Sequence, residues 1–268
     1  MDSAVDGLSV ALVTGASSGI GYEYARELAG RGYNLLLVSN ERERIADVAR
    51  ELAARYGVAA EGLYSDLSRP EAAQELHDWC GERSVTVDIL INNAGIFFFN
   101  DVTGVSTGKL RVMVNLHVAT VTLMCHFFGA DMAQRGRGYI LNMSSLAAKF
   151  PFPGISVYSA TKSYVRTLSM AMHNELYDKG VRVTAVCPGG VATGLYNLRP
   201  ELLRLGVRLG VLMTPERLAR KGLKAMFAGR RCVMPGWINH LFAPLAGCVP
   251  SRLVRLVKRK ASFYQYGK

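Results

Sequence analysis

The chain has little of what marks secreted, metal-binding or membrane-spanning proteins. Its five cysteines are Cys80, Cys125, Cys187, Cys232 and Cys248. No two of them form a C-x-x-C pair, and none stands at ligand spacing from a histidine. That excludes a metal ribbon and a disulfide framework, and it fits reduced, buried thiols. Met1 to Leu8 contains no basic stretch followed by an apolar run, so no signal peptide is expected. No window holds about 18 uninterrupted apolar residues, so no spanning helix is expected and the location reads as cytoplasmic. Repeats and low-complexity blocks are also missing. Hydrophobic residues make up 50% of the chain, which excludes disorder, and 268 residues suit one α/β domain over 1–268.

Acidic residues are scarce at the C-terminal end. From Arg199 onward there are 15 Lys and Arg against 2 Asp and Glu, a balance of +13. The whole chain carries +11, so the first 198 residues carry −2. A nearly neutral body argues against a nucleic-acid-binding core and assigns the basic excess to a specialised tail.

What is present begins with an apolar run, Ser9 to Thr14, that reads as a buried parallel strand. It runs into a turn carrying Gly15, Ser17, Ser18, Gly19, Ile20 and Gly21, then a helical pattern through Tyr24, Leu28 and Ala29. Strand, glycine-rich turn and helix form the context of a dinucleotide fingerprint. The glycines permit the turn and the close approach of a pyrophosphate, and the helix N-terminus supplies amide donors. A second strand, Tyr33 to Ser39, ends without the acid that would bind a ribose 2′-hydroxyl. Asn40, Glu41 and Arg42 follow, and Arg42 is placed to reach a 2′-phosphate, so NADP(H) is favoured over NAD(H). Glu41 and Arg42 also read as an exposed first helical turn.

Further strands are expected at Ala59 to Tyr64, Val87 to Ile91, Tyr139 to Ser145 and Val181 to Cys187, with a last short one within Arg231 to Gly236. Helices alternate with them, over Arg42 to Tyr56, Pro70 to Arg83, Thr107 to Arg135 and Val157 to Asp178. Such alternation predicts a Rossmann-type doubly wound α/β fold, a parallel sheet of about seven strands with helices on both faces. Residues at the strand ends then meet along one edge: Asp66 and Leu67, Asn93-Ala94-Gly95, Ser145, and Pro188-Gly189 with Val191 and Thr193. Asp66 suits either a helix cap or an acceptor for the adenine amino group. Asn115, in an apolar helix face, needs partners: it bends the helix and binds a water, or it is satisfied by backbone. Trp79 reads as core, and His117 and His126 read as structural.

Tyr158 and Lys162 are four apart on one helix face, about 5–6 Å between Cβ atoms. A phenol with an ordinary pKa of about 10 is a poor acid or base at neutral pH, and a nearby ammonium favours the phenolate. A hydroxyl on a neighbouring strand end would hold a carbonyl or alcohol oxygen against that phenol.

In combination these motifs resemble the short-chain dehydrogenase/reductase (SDR) family, over Ser9 to about Arg231. The resemblance implies that Tyr158 is the general acid/base and that Lys162 lowers its pKa and holds the nicotinamide ribose. Ser145, rather than Ser144, would orient the substrate oxygen, and Asn115 would hold a water in a proton relay through Lys162. Val191 and Thr193 would fix the nicotinamide carboxamide and Asp66 the adenine. NADP-preferring members commonly carry a basic residue where this chain has Asn40, a departure. The family also implies a homodimer or homotetramer.

Substrate preference is read from apolar segments. Phe97 to Phe99 suit either core or an apolar substrate wall, and the Leu-rich stretch 194–213 a lid or ordinary packing. The segment 237–268 adds an apolar run and a basic amphipathic stretch, Ser251 to Lys260. This C-terminal helical extension would meet a membrane surface, a subunit interface or the substrate entrance. The expected activity is interconversion of a secondary alcohol and a ketone on a bulky hydrophobic substrate, a hydroxysteroid or bile acid first. The alternatives are a 3-oxoacyl or polyol/sugar substrate, or a sensor or scaffold that binds NADP(H) without turnover.

Overall fold

The computed structural model describes residues 9–150, 152–193 and 200–236, together with Arg252, Val254 and Arg255. The extension 237–268, apart from those three residues, and the lid segment 194–199 with Arg199 lie outside the described residues.

Seven strands build one sheet: β1 (Val10–Thr14), β2 (Asn34–Ser39), β3 (Ala60–Tyr64), β4 (Val87–Asn92), β5 (Gly138–Met143), β6 (Val181–Val186) and β7 (Cys232–Val233). Their order is β3-β2-β1-β4-β5-β6-β7, and every pairing is parallel. Parallel neighbours need crossover connections, and the helices that supply them cover both faces. On one face α1 (Gly19–Ala29), α2 (Arg42–Tyr56) and α8 (Pro215–Phe227) bury Tyr24, Leu28, Leu52 and Leu223 against Val13, Leu37 and Ile91. On the other, α3 (Ala72–Glu82), α5 (Thr120–Arg135) and α6 (Ser156–Tyr177) bury Leu76, Phe128 and Val165 against Leu12, Val38 and Leu90. Alternate strand residues feed the two layers, which is why these strands read as continuous apolar runs.

The strand order reverses between β1 and β4, with later strands added on the opposite side of β1, and a crevice opens there beyond the strand ends. Thr14 ties its two walls together. Its hydroxyl donates to the Ile91 carbonyl at 3.2 Å and accepts from the amides of Asn93 and Ala94 at 2.9 and 3.0 Å.

The expected helix Thr107 to Arg135 is divided. α4 (Thr107–Val114) leads into a wide π turn, Asn115–Ala119, before α5. The span is long and apolar enough by composition to cross a membrane, but it packs against the sheet through Met124, Phe128 and Met132, and Met113 is buried as well. Its apolarity is explained as that of a core helix. α7 (Pro200–Arg208) also differs from expectation. Leu205 and Leu209 are exposed, and no described residue from 200 to 213 lines the main cavity. The described part of the lid therefore turns these leucines outward.

Candidate active site

A cavity of about 500 Å³ occupies the crevice. The glycine-rich turn forms its floor, where Gly15, Ser17, Ser18, Gly19 and Ile20 all line it. Gly15 and Gly19 hold φ of 64° and 57°, a region that disfavours side chains. A Cβ on Gly15 would sit 2.9 Å from the Ala94 Cα, and one on Gly21 would sit 2.1 Å from the Gly15 carbonyl oxygen. Ser18 precedes α1 in an extended conformation and makes no side-chain cap. The first amides of α1 are thus left for an anionic ligand, and the lining fits a dinucleotide pyrophosphate.

The other strand ends arrive as expected. Asn40, Asp66 and Leu67 line one end, Asn93, Ala94 and Gly95 the middle, and Pro188, Gly189, Val191 and Thr193 the other end with Ser145, Tyr158 and Lys162. Asn93 spends its amide on the Thr14 and Gly15 carbonyls, at 2.9 and 3.3 Å, and so braces the turn. The Asp66 carboxylate accepts from the Ser68 amide and hydroxyl, at 3.0 and 2.7 Å, which holds this loop in a local turn beside the cavity.

Two predicted residues are placed differently. Arg42 does not line the cavity, because its guanidinium lies 4.2 Å over the Tyr64 ring. Arg44, two residues further along α2 and likewise outside the lining, donates from Nε to the Ser17 carbonyl at 3.3 Å. Asn115 is likewise absent from the lining. Its amide donates to the Ser68 carbonyl at 3.1 Å, and its own carbonyl accepts the Thr120 amide across the π turn. Of the two alternatives for a buried Asn, the structure takes backbone satisfaction together with a wide helical turn. Its side-chain amide is thus directed to the Ser68 loop rather than into the cavity lining.

Around Tyr158 the geometry is apolar on two sides. The Phe97 ring stands edge-on at 5.0 Å and the His117 ring at 5.8 Å. Of the other two phenylalanines, Phe99 packs over Gly154, and Phe98 lines a small second cleft that Tyr158 also lines. The Lys162 Nζ lies 5.8 Å from the centre of the Tyr158 ring and donates to the Met143 carbonyl at 2.8 Å. Lys162 is only 6% exposed, and burial lowers its pKa to about 8. Close to neutral pH it remains largely an ammonium.

Hydrogen bonds separate the two serines. Ser144 donates its hydroxyl to the Lys162 carbonyl at 2.7 Å. Ser145 accepts from the Ala147 amide at 3.1 Å, so its own hydroxyl hydrogen is left to donate. Sequence reasoning missed His117 as a site residue. The residue is fully buried, lines the cavity, accepts from the Ile96 amide at 3.0 Å and meets the Thr161 hydroxyl at 3.0 Å. Burial, with Lys162 close by, holds its pKa well below the ordinary histidine value, so the imidazole is neutral. Thr161 in turn donates to the Tyr158 carbonyl. Nothing in the local sequence signals this bridge between the β4 loop and α6.

A dinucleotide crevice beside a buried Tyr, Lys and free Ser hydroxyl defines an oxidoreductase acting on alcohol and ketone groups. The short chain dehydrogenase family model matches residues 9–201, and the chain belongs to that family. It is 35% identical over 240 residues to a very-long-chain 3-oxoacyl-CoA reductase from Anas platyrhynchos, covering 87% of this chain and 72% of the relative. Among solved structures, a short-chain dehydrogenase from Sphingobium yanoikuyae in complex with NADPH superposes with a TM-score of 0.78 at 30% identity. That match covers 95% of this chain and 98% of the other. A bulky-bulky ketone specific alcohol dehydrogenase from Comamonas testosteroni gives 0.75 at 28% identity, covering 97% and 95%.

Proposed function

We propose that this chain is an NADPH-dependent reductase of 3-oxoacyl thioesters. The observation that carries the acyl assignment is the similarity to the duck 3-oxoacyl-CoA reductase over most of the chain. It favours the acyl alternative over the steroid expected first.

Gly15, Ser17, Ser18, Gly19 and Ile20 would hold the pyrophosphate, Asp66 and Leu67 the adenine side, and Val191 with Thr193 the carboxamide. The bound nicotinamide supplies the hydride. Ser145 donates its free hydroxyl hydrogen to the 3-oxo oxygen and fixes it against Tyr158. The Tyr158 phenol gives that oxygen its proton as negative charge develops on it. Lys162, held by Met143, supplies the positive charge that favours phenolate formation and would hold the nicotinamide ribose. Phe97 stands edge-on against the phenol ring and gives it an apolar neighbour.

What supports the NADPH reading within this chain lies at the end of β2. Ser39 stands where an acid would bind a ribose hydroxyl, and it donates to the Ser17 hydroxyl at 3.0 Å. Arg44 reaches the same Ser17, and its terminal nitrogens have no hydrogen-bond partner among the described residues. They are available to a 2′-phosphate. Replacing Arg44 with Ala is expected to weaken 2′,5′-ADP binding about tenfold, the scale of one charge-assisted hydrogen bond, with ADP affinity unchanged. Calorimetric titration of both nucleotides checks it.

The substrate assignment is tested by NADPH oxidation with 3-oxoacyl thioesters of graded length, steroid ketones and sugar ketones. Long 3-oxoacyl thioesters should exceed both other classes by about tenfold or more in kcat/KM, about 1.4 kcal/mol of transition-state preference. Steroid ketones turned over as well or better would return the reading to the steroid expectation.

A further inference from the structure

Two thiols outside the cavity remain unused by this mechanism. Cys187 follows β6 and Cys232 opens β7, on adjacent parallel strands, and their sulfurs lie 3.8 Å apart. Both belong to a small cluster with Ala185, Leu146 and Met234. Cys187 is buried, whereas Cys232 is partly exposed. We propose that Cys187 and Cys232 form a thiol-modification site, a dithiol that glutathione disulfide oxidises to an intramolecular disulfide.

The chemistry divides between them by environment. The Cys187 thiol, then the nearby Arg166 and Lys149 charges, hold the Cys232 thiol below its ordinary pKa against the opposing effect of burial. Its hydrogen bond with Cys232 and its own burial hold Cys187 up. Because Cys232 is the thiol that solvent reaches and Cys187 is buried behind it, Cys232 is the attacking thiol and Cys187 the resolving one. By contrast, Cys80 and Cys125 are buried, and burial pushes each up to about 12.

In the first step the Cys232 sulfur bonds to one glutathione sulfur, the glutathione disulfide bond breaks, and a glutathione thiolate leaves. In the second, Cys187 loses its proton and bonds to the Cys232 sulfur. The second glutathione leaves as thiolate and takes up a proton. Two protein thiols are oxidised and one glutathione disulfide is reduced to two glutathiones. The sulfurs must close to about 2.05 Å, and the edge strand β7, only two residues long, is the element that moves.

The site has a direct connection to the cavity. Cys187 precedes Pro188, whose carbonyl accepts the Leu146 amide at 2.7 Å, and the Ser144 amide donates to the Val186 carbonyl at 2.8 Å. A covalent tie at Cys187 therefore acts on the segment that presents Ser145.

The test is mass spectrometry of the full chain after incubation with glutathione disulfide, followed by digestion without reductant. The expected product is two hydrogens lighter, with the Cys187 and Cys232 peptides joined, and dithiothreitol reverses it. Cys187→Ser should instead retain one glutathione on Cys232, and Cys232→Ser should form neither product. Because the wild-type chain carries the first readout, a variant that fails to fold does not decide the outcome. Wild-type protein that takes glutathione only on Cys248, keeps it on Cys232 without closing the link, or takes none would overturn the proposal.

Discussion

Tyr158→Phe is expected to lower kcat for ketone reduction about 10³-fold while leaving the NADPH dissociation constant within about threefold. Positioned proton transfer contributes about 10²–10⁴ in rate, so the middle of that range corresponds to about 4 kcal/mol of barrier. The change removes one oxygen and leaves the ring, so its edge contacts with Phe97 and His117 persist. Binding should survive because the glycine turn and the amides of α1 are untouched. Single-turnover kinetics and NADPH fluorescence titration on the same preparation separate the two quantities. Unchanged turnover would remove Tyr158 as the acid; wild-type protein that binds NADPH and reduces nothing would favour the sensor reading.

The second large effect has opposite signs in activity and stability. Lys162→Met is expected to reduce kcat/KM about 10²-fold or more, and also to raise the melting temperature at pH 7. Burial lowers the Lys162 pKa from 10.5 to about 8, so the folded state gives up this proton before the unfolded state does. Between those values the unfolded chain binds more protons, and stability rises with pH. Below about pH 8 the folded enzyme carries the full cost of a buried ammonium, about 3 kcal/mol by linkage. Methionine escapes that cost, so its stability advantage should be complete below pH 8 and fade toward pH 10.5. Thermal melts at pH 7 and pH 10 check the sign. NADPH affinity supplies a further readout. In the wild type it should weaken as pH rises through about 8, and in the variant it should not respond there. An advantage that persists at pH 10 would mean that packing, not charge, sets the difference.

The contrast between the two residues reflects their places. In the proposed mechanism Tyr158 works at the reacting oxygen, whereas Lys162 is anchored by the Met143 carbonyl at the end of β5. Placing the cation there is costly to the fold and useful to the chemistry, because a low-dielectric site strengthens its effect on the phenol and ribose. Ser144 contributes from the other side by bonding the Lys162 carbonyl and so holding α6 against β5.

Local regularities by themselves determined the strand–turn–helix at Gly15 to Gly21, the alternation that builds a parallel sheet, and the shared helical face of Tyr158 and Lys162. Each follows from periods of two or 3.6 residues or from the backbone freedom of glycine, which act within one element. Resemblance alone favours Ser145 over Ser144, and what separates their hydroxyls physically is tertiary: one is spent on the Lys162 carbonyl and the other is left to donate. The Arg42 stack on Tyr64, the Arg44 contact with Ser17, the Asn115 amide on Ser68, and His117 bridging Ile96 to Thr161 were decided by contacts that sequence spacing does not encode. So was the meeting of Cys187 with Cys232, 45 residues apart along the chain. Hydrogen-bond partners of buried polar groups are chosen when layers pack, because only then does an unpaired group incur its desolvation cost. The tertiary structure therefore assigned the partners, where local pattern had only nominated the residues.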